Sequence, residues 1–198
     1  MVLAAGLGTR LKPLTDTLPK VLVPIEGVPL LEHVLRRLAR AGVREAIINA
    51  HHHAEQVAAF VKAVAPKLDM RLELSREDEL LLDTGGGLKR AGWFFDDGRP
   101  FFVYNADVIT DLDLNALYAD HVGNGALATL AVQARETKRM LLFDEAGRLR
   151  GRRSEGKDEW CAKPAPKPVA LAYTGVQVAS SALFEKLEPY ADRFVVLP

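Results

Sequence analysis

Cysteine is nearly absent: Cys161 is the only one in 198 residues, which excludes an internal disulfide framework and any cysteine-built zinc cluster. No stretch approaches eighteen uninterrupted apolar residues, so no transmembrane helix is predicted. Only four apolar residues follow Met1 before Gly6; no secretory leader is expected, and a cytoplasmic protein is the simple reading. Charge of one sign is lacking too. With 26 basic and 26 acidic residues the formal net charge is zero, which argues against a general nucleic-acid or membrane-surface binder but leaves room for a local basic pocket. No internal repeat and no second domain stand out. What is present is apolar substance, 48% of the chain, enough to bury one good core, so a single domain over residues 1–198 is expected.

The most informative stretch comes first. An apolar run from Met1 to Ala5, expected as a strand of about five residues, passes into Gly6-Leu7-Gly8-Thr9-Arg10. Two glycines two apart let the backbone turn with positive φ and offer its N–H groups to a ligand. Arg10 adds a forked cation and Lys20 a point charge, the two common ways of holding polyphosphate. No Walker-type G-x-x-x-x-G-K-[ST] motif matches here. A dinucleotide fingerprint would need a third glycine where Leu11 stands, and Pro13 and Pro19 oppose an immediate helix. The bland alternative is an ordinary glycine turn flanked by solvated basic residues.

Farther on, apolar positions Leu30, Leu31, Val34, Leu35 and Leu38 fall on one stripe of a helix over Pro29–Ala41, with Gly42 as its stop. A buried strand is predicted over Val43–Asn49, a helix over Ala54–Val64 ending before Pro66, and a strand over Met70–Ser75. This alternation predicts an α/β fold, a mostly parallel sheet with helices on both faces. His51-His52-His53 raises the question of a metal, but adjacent strand residues point alternately and cannot all face one ion; a helix-entry turn is the alternative. Asp83-Thr84-Gly85-Gly86-Gly87 contains three costly consecutive glycines, which imply close approach to the backbone, either at a flexible hairpin tip or at a loop feeding a helix where a ligand binds. A central strand over Pro100–Tyr104 ends in Asn105-Ala106-Asp107. Beyond the carboxyl end of such a strand, Asp107 can hold Mg2+ or serve as a turn or cap residue. Asp111 and Asp113 suit the latter use better. A helix over Asp113–His121, a Gly123–Gly125 turn, a strand over Ala126–Ala134 and a hairpin around Glu145–Gly147 follow. Residues 151–168 read as polar and irregular, Ala172–Val178 as a strand, and Ser180–Leu187 as a short helix.

Taken together, Leu3-Ala4-Ala5-Gly6-Leu7-Gly8-Thr9-Arg10-Leu11, Pro13-Leu14-Thr15, Pro19-Lys20 and Pro24–Leu30 resemble the opening of the sugar-1-phosphate nucleotidyltransferases, also called nucleotide-sugar pyrophosphorylases. The likeness runs through most of the chain and is strongest to short bacterial uridylyltransferase members, with guanylyltransferase-like members beside them. It implies a Rossmann-like three-layer α/β/α fold. It implies that Leu3, Ala4, Ala5, Gly6, Gly8 and Thr9 wrap a nucleoside triphosphate whose phosphates Arg10 and Lys20 hold. Asn49 and His51, in a segment like the family's Asn-x-His-His, and Asp83, Thr84, Gly85 and Gly86 would lie near the nucleotide. Asn105-Ala106-Asp107 resembles the family's metal motif, so Asp107 would hold Mg2+. Residues 151–168 would border the sugar-phosphate pocket, with Asn105, Lys163, Thr174 and Gly175 lining it.

The activity implied is nucleotidyl transfer from an NTP to a sugar 1-phosphate, with pyrophosphate as the other product. UTP is the expected donor, N-acetylmuramate or hexose 1-phosphate the expected acceptor, and cell-wall precursor synthesis the setting. Arg10, Lys20 and Asp107 would be the catalytic groups. Family members also carry a C-terminal Trp-x-Asp-x-Gly-Thr segment whose Asp is a second metal ligand. Nothing like it occurs before Pro198: either that segment is disordered or missing from this sequence, or the protein lacks the ligand, and with one carboxylate weaker Mg2+ binding is expected. That keeps a second class open, a catalytically weak nucleotide- or phosphosugar-binding regulatory module, from which robust product formation would distinguish the enzyme.

Overall fold

The structure is a computed structural model of the chain, and residues 1–195 are described. The fold opens with β1 (Val2–Leu3), then a loop with short 3-10 turns at Thr9–Leu11, Leu14–Asp16 and Lys20–Leu22. A small hairpin of β2 (Pro24–Ile25) and β3 (Val28–Pro29) leads into α1 (Leu30–Arg40). Next come β4 (Glu45–Ala50), α2 (Ala54–Leu68), β5 (Arg71–Arg76), α3 (Asp83–Arg90), β6 (Phe101–Asn105) and α4 (Leu114–Asn124). The chain continues through β7 (Ala128–Gln133), β8 (Arg139–Phe143), β9 (Leu149–Ser154), β10 (Lys157–Trp160), β11 (Val169–Ala179) and α5 (Leu183–Leu187).

By internal contacts the chain divides into two compact units. The first holds residues 1–129 and returns at Gln177. In it β1 lies between β6 and β4, and β5 lies beyond β4, all parallel. Side chains alternate across such strands. Ile47, Phe101 and Val103 face one way and form a core with Leu88 of α3 and Leu183 and Leu187 of α5. Phe95 stacks on Phe101 there, with ring centroids 4.0 Å apart. Phe102, with the opposite parity, meets Tyr118 of α4. The expected apolar stripe of α1 is buried at every position, Leu30, Leu31, Val34, Leu35 and Leu38, each worth about 1.5–3 kcal/mol when fully removed from water.

The second unit, residues 130–176, is antiparallel where the first is parallel. In it β9 pairs with both β8 and β10, and β11 pairs with β8. Most of residues 151–160 are therefore a hairpin rather than irregular chain. Its strands are held by cross-strand ion pairs, Arg152–Glu159 and Arg153–Asp158 at 2.5 and 2.6 Å, in place of an apolar face.

Several boundaries differ from expectation. The first strand has two residues, not five, because the Ala4 N–H leaves the ladder for the Asn49 side chain. Helix α2 runs through Pro66, which sits in its last turn and leaves the helix one backbone bond short, since proline has no N–H to donate. The three glycines lie inside α3 rather than ahead of it. Helix α4 continues through Gly123, with Gly125 as the left-handed stop, and Asp113 caps its start by accepting from the N–H groups of Asn115 and Ala116 at 2.9 and 3.0 Å. No helix among the described residues is long and apolar enough to cross a membrane.

One buried group gives the fold a pH signature. His121, 2% exposed, lies on α4 with its Nδ1 3.0 Å from Thr129 Oγ1. Burial pushes its imidazole below the ordinary value. The unfolded chain then binds this proton more readily than the folded one, so stability is full above about pH 6.5 and falls as pH drops toward the depressed folded value. Urea unfolding from pH 7.5 to 5 is expected to show this decline, and His121→Gln to remove part of it. A variant with the same pH slope as the parent would contradict the assignment.

Candidate nucleotide site

Parallel pairing sets the floor of the site. In register, Leu3 stands opposite Asn49 of β4 on one side and Asn105 of β6 on the other. Three carboxyl ends therefore meet in one row, the place where ligands collect in open α/β sheets. Above it opens a cavity of about 230 Å3. One wall is the backbone of Leu3, Ala4, Ala5 and Gly6; the other is Leu81, Asp83 and Thr84, with Lys20, Val21, Asn49, Asn105 and Asp107 completing it. A larger cavity, about 420 Å3, lies at the amino ends of the same strands beside Glu45 and Phe101, away from that position.

The glycine loop is built by two different constraints. Gly8 takes φ +64°, and a Cβ there would come within 2.9 Å of Thr15 Cγ2 and 3.0 Å of Lys20 Cβ. Buried Thr15 fixes this turn by donating from Oγ1 to the Gly8 carbonyl at 2.9 Å, and Leu11 N–H donates to the same carbonyl at 2.8 Å. Gly6 does not adopt positive φ, contrary to expectation. A Cβ on it would meet no protein atom within 4 Å; its bare backbone faces the open cavity.

Lys20 and Asp107, 87 residues apart, form an ion pair at the cavity edge, with Lys20 Nζ donating to Asp107 Oδ2. Asp107 follows β6 by two residues, and the Ala106 N–H is anchored on the Leu3 carbonyl at 2.9 Å. Asn49, 2% exposed, accepts the Ala4 N–H on Oδ1 at 2.6 Å. His51 Nδ1 lies against the carbonyl of Glu77, His52 Nε2 is 3.4 Å from the Thr15 carbonyl, and His53 enters α2 with φ +53°. Among the described residues, no three His, Cys, Asp or Glu side chains group as a metal centre.

Most of the predicted site residues come together here: Leu3, Ala4, Ala5, Gly6, Lys20, Asn49, Asp83, Thr84, Asn105 and Asp107 all line the cavity. Gly8, Thr9 and Arg10 do not line it; Arg10 is exposed and has no polar partner among the described residues. Gly85 and Gly86 are turned to the chain's own C-terminal segment. Both N–H groups reach the Phe194 carbonyl, at 2.8 and 3.3 Å. Asp83, at φ +60°, accepts from Arg193 Nε at 2.9 Å. Lys163, Thr174 and Gly175 belong to the second unit. There Thr174 Oγ1 donates to the Ala131 carbonyl at 2.9 Å, Gly175 has φ +89°, and burial holds the neighbouring Tyr173 phenol well above its usual range. The sequence did not point to Val21 and Leu81 of the lining, nor to buried Glu77, which bonds Asn49 and Leu82.

A relative from Caulobacter vibrioides, named N-acetylmuramate alpha-1-phosphate uridylyltransferase, is 46% identical over 110 residues, 55% of this chain and 45% of the relative. Mannose-1-phosphate guanylyltransferase catalytic subunit beta of Drosophila melanogaster is 38% identical over 151 residues, 74% and 41% of the two chains. The matches thus span less than half the length of these curated relatives. A putative glucose-1-phosphate thymidylyltransferase from Bacillus anthracis shares the fold with TM-score 0.79 at 18% identity, over 96% of this chain and 74% of its own. A UDP-glucose pyrophosphorylase structure does so with TM-score 0.74 at 18% identity, over 99% and 82%. The sequence model of the nucleotidyl transferase family matches residues 1–141, and the chain belongs to that family.

Proposed function

We propose that this chain transfers a nucleotidyl group from an NTP to a sugar 1-phosphate, giving an NDP-sugar and pyrophosphate. The observation that carries this reading is the cavity at the carboxyl ends of β1, β4 and β6, with bare Gly6 on one wall and the Lys20–Asp107 pair at its edge. The printed names of the relatives support the reaction class. UTP is the first donor to test and N-acetylmuramate 1-phosphate the first acceptor, because the uridylyltransferase relative has the higher identity of the two.

In the reaction a sugar-phosphate oxygen attacks the α-phosphorus of the NTP, and the bond from that phosphorus to the oxygen bridging the β-phosphate breaks. The monoester is already a competent nucleophile, so no general base is required. The cost lies in bringing two polyanions together in line, which positioning and charge neutralisation supply. Ala4, Ala5 and Gly6 would seat the nucleotide against bare backbone. Lys20 would grip phosphate oxygens, and Arg10 would hold the leaving pyrophosphate. Asp107 suits Mg2+, an ion that takes one or two carboxylates and completes its shell with water and substrate phosphates. Bound there, the ion would neutralise phosphate charge.

Calorimetric titration of the 198-residue chain with each of four NTPs in Mg2+ tests the reading. It predicts binding of one NTP at least tenfold tighter than the others; binding of none would overturn it. Arg10 contributes on the leaving-group side, so Arg10→Ala is expected to lower turnover by about 10- to 100-fold. That is the loss of one or two charge-assisted hydrogen bonds, about 1.5–3 kcal/mol. KM for the sugar phosphate should stay within about twofold. Steady-state kinetics decide this; a raised sugar-phosphate KM with unchanged turnover would place Arg10 on the wrong substrate.

A further inference from the structure

Glu77 stands one residue past β5 in the run Arg76-Glu77-Asp78-Glu79, which reads as solvated surface, yet it is 1% exposed. No cation pairs with it among the described residues. Instead, both carboxylate oxygens receive donors: Asn49 Nδ2 at 2.7 Å on Oε1 and the Leu82 N–H at 2.9 Å on Oε2. Asn49 in turn accepts the Ala4 N–H at 2.6 Å. The result is one continuous link, from Ala4 through Asn49 and Glu77 to Leu82. Its ends lie in the two segments that form the cavity's walls, Ala4 itself beside Gly6, and Leu82 between the lining residues Leu81 and Asp83. A Cβ at Gly87 would come within 2.7 Å of Glu77 Oε1 and 2.8 Å of Asn49 Nδ2, so the last glycine of the run leaves the room this link needs.

We infer that Glu77 is a positioning residue that sets the separation of the two walls, and through it the fit of the nucleotide. This rests on the reading of the cavity as the nucleotide site. Both partners of Glu77 are donors, so position 77 must accept twice. A buried carboxylate without a cation is costly to keep unless hydrogen bonds compensate it, and here the compensating donors are the walls themselves. A glutamine would accept once and turn its NH2 toward a donor. An exchange of the two groups restores the pattern, in a double variant that combines Asn49→Asp with Glu77→Gln. There the amide NH2 at position 77 donates to the carboxylate at position 49, and the amide oxygen accepts the Leu82 N–H. The second carboxylate oxygen at position 49 accepts the Ala4 N–H.

Amide hydrogen exchange by NMR and NTP titration by calorimetry, on the parent, Glu77→Gln and the double variant, test this. In Glu77→Gln, exchange is expected to speed up at least tenfold at Leu82 and also at Ala4, which Glu77 does not touch, and NTP affinity to fall about tenfold. Exchange at both sites should return to within about threefold of the parent in the double variant; NTP affinity is read in Glu77→Gln alone, because Asn49 itself lines the cavity. Faster exchange at Leu82 alone would reduce Glu77 to a local cap and overturn the proposal. So would unchanged NTP affinity in Glu77→Gln alongside faster exchange at Ala4, or no recovery of exchange in the double variant. Should Glu77→Gln fail to fold, Gly87→Ala, which crowds the same two side chains, takes its place with the same expectations. If the parent binds no NTP, the reading of the cavity fails, and exchange at Ala4 still decides whether the walls are linked.

Discussion

Asp107→Ala is expected to lower the rate of pyrophosphate release by at least about 100-fold, the scale of losing one preorganised charge-stabilising group at a reacting centre. Two losses combine at this position. The substitution removes the carboxylate suited to Mg2+ at the cavity edge, and it frees Lys20 from its only ion-pair partner among the described residues. Asp107→Asn separates these from a bland role. The amide keeps the side chain's shape and a hydrogen-bond acceptor but lacks the charge, so it should lose nearly as much as the alanine variant. If Asp107 were merely a turn residue holding Lys20 in place, the asparagine variant would retain activity within about fivefold. Initial rates at saturating substrates, with thermal unfolding as a check on folding, distinguish the two.

Gly86→Ala carries the largest expected effect on stability. A Cβ at this position would lie 1.9 Å from the Asp192 carbonyl oxygen, and backbone cannot swing aside as a side chain can. Asp192 is held in place by its neighbours. Lys89 Nζ donates to the Glu188 and Tyr190 carbonyls at 3.1 and 2.8 Å, Arg193 bonds Asp83, and Gly85 N–H donates to the Phe194 carbonyl. Either α3 shifts or the C-terminal segment lifts, at a cost of about 1–3 kcal/mol, typical of overpacking. For a chain of this size that is a fall of roughly 2–12 °C in Tm. Gly123 is the control. It lies within α4, and a Cβ there would meet nothing within 4 Å, so Gly123→Ala should raise stability by about 0.5–1 kcal/mol. Calorimetric Tm values for the pair should move in opposite directions; a fall of similar size in both would contradict the packing account.

The α/β alternation and the buried stripe of α1 were legible because each rests on local periodicity. Lys20 stood out by its charge after the glycine loop and Asp107 by the family resemblance, and both line the cavity; that they pair was not legible, since their meeting depends on strand order. What escaped the sequence depends on tertiary context. The β9–β10 hairpin shows no apolar alternation because charged pairs hold it, and such pairs look like loop composition. The triple glycine correctly signals close approach to the backbone, but the approaching groups in the structure are Asp192, Phe194, Glu77 and Asn49 of the same chain. Glu77 itself gives no signal at all, because a glutamate among charged neighbours looks the same whether water or Asn49 satisfies it.

The measurement that bears most directly on the central claim is pyrophosphate release by the 198-residue chain, with Mg2+, across four NTPs and a panel of sugar 1-phosphates. The account predicts release with one NTP–sugar phosphate pair, UTP and N-acetylmuramate 1-phosphate tested first, and its loss in Asp107→Ala. Release in no combination, or release that persists in the variant, would contradict it.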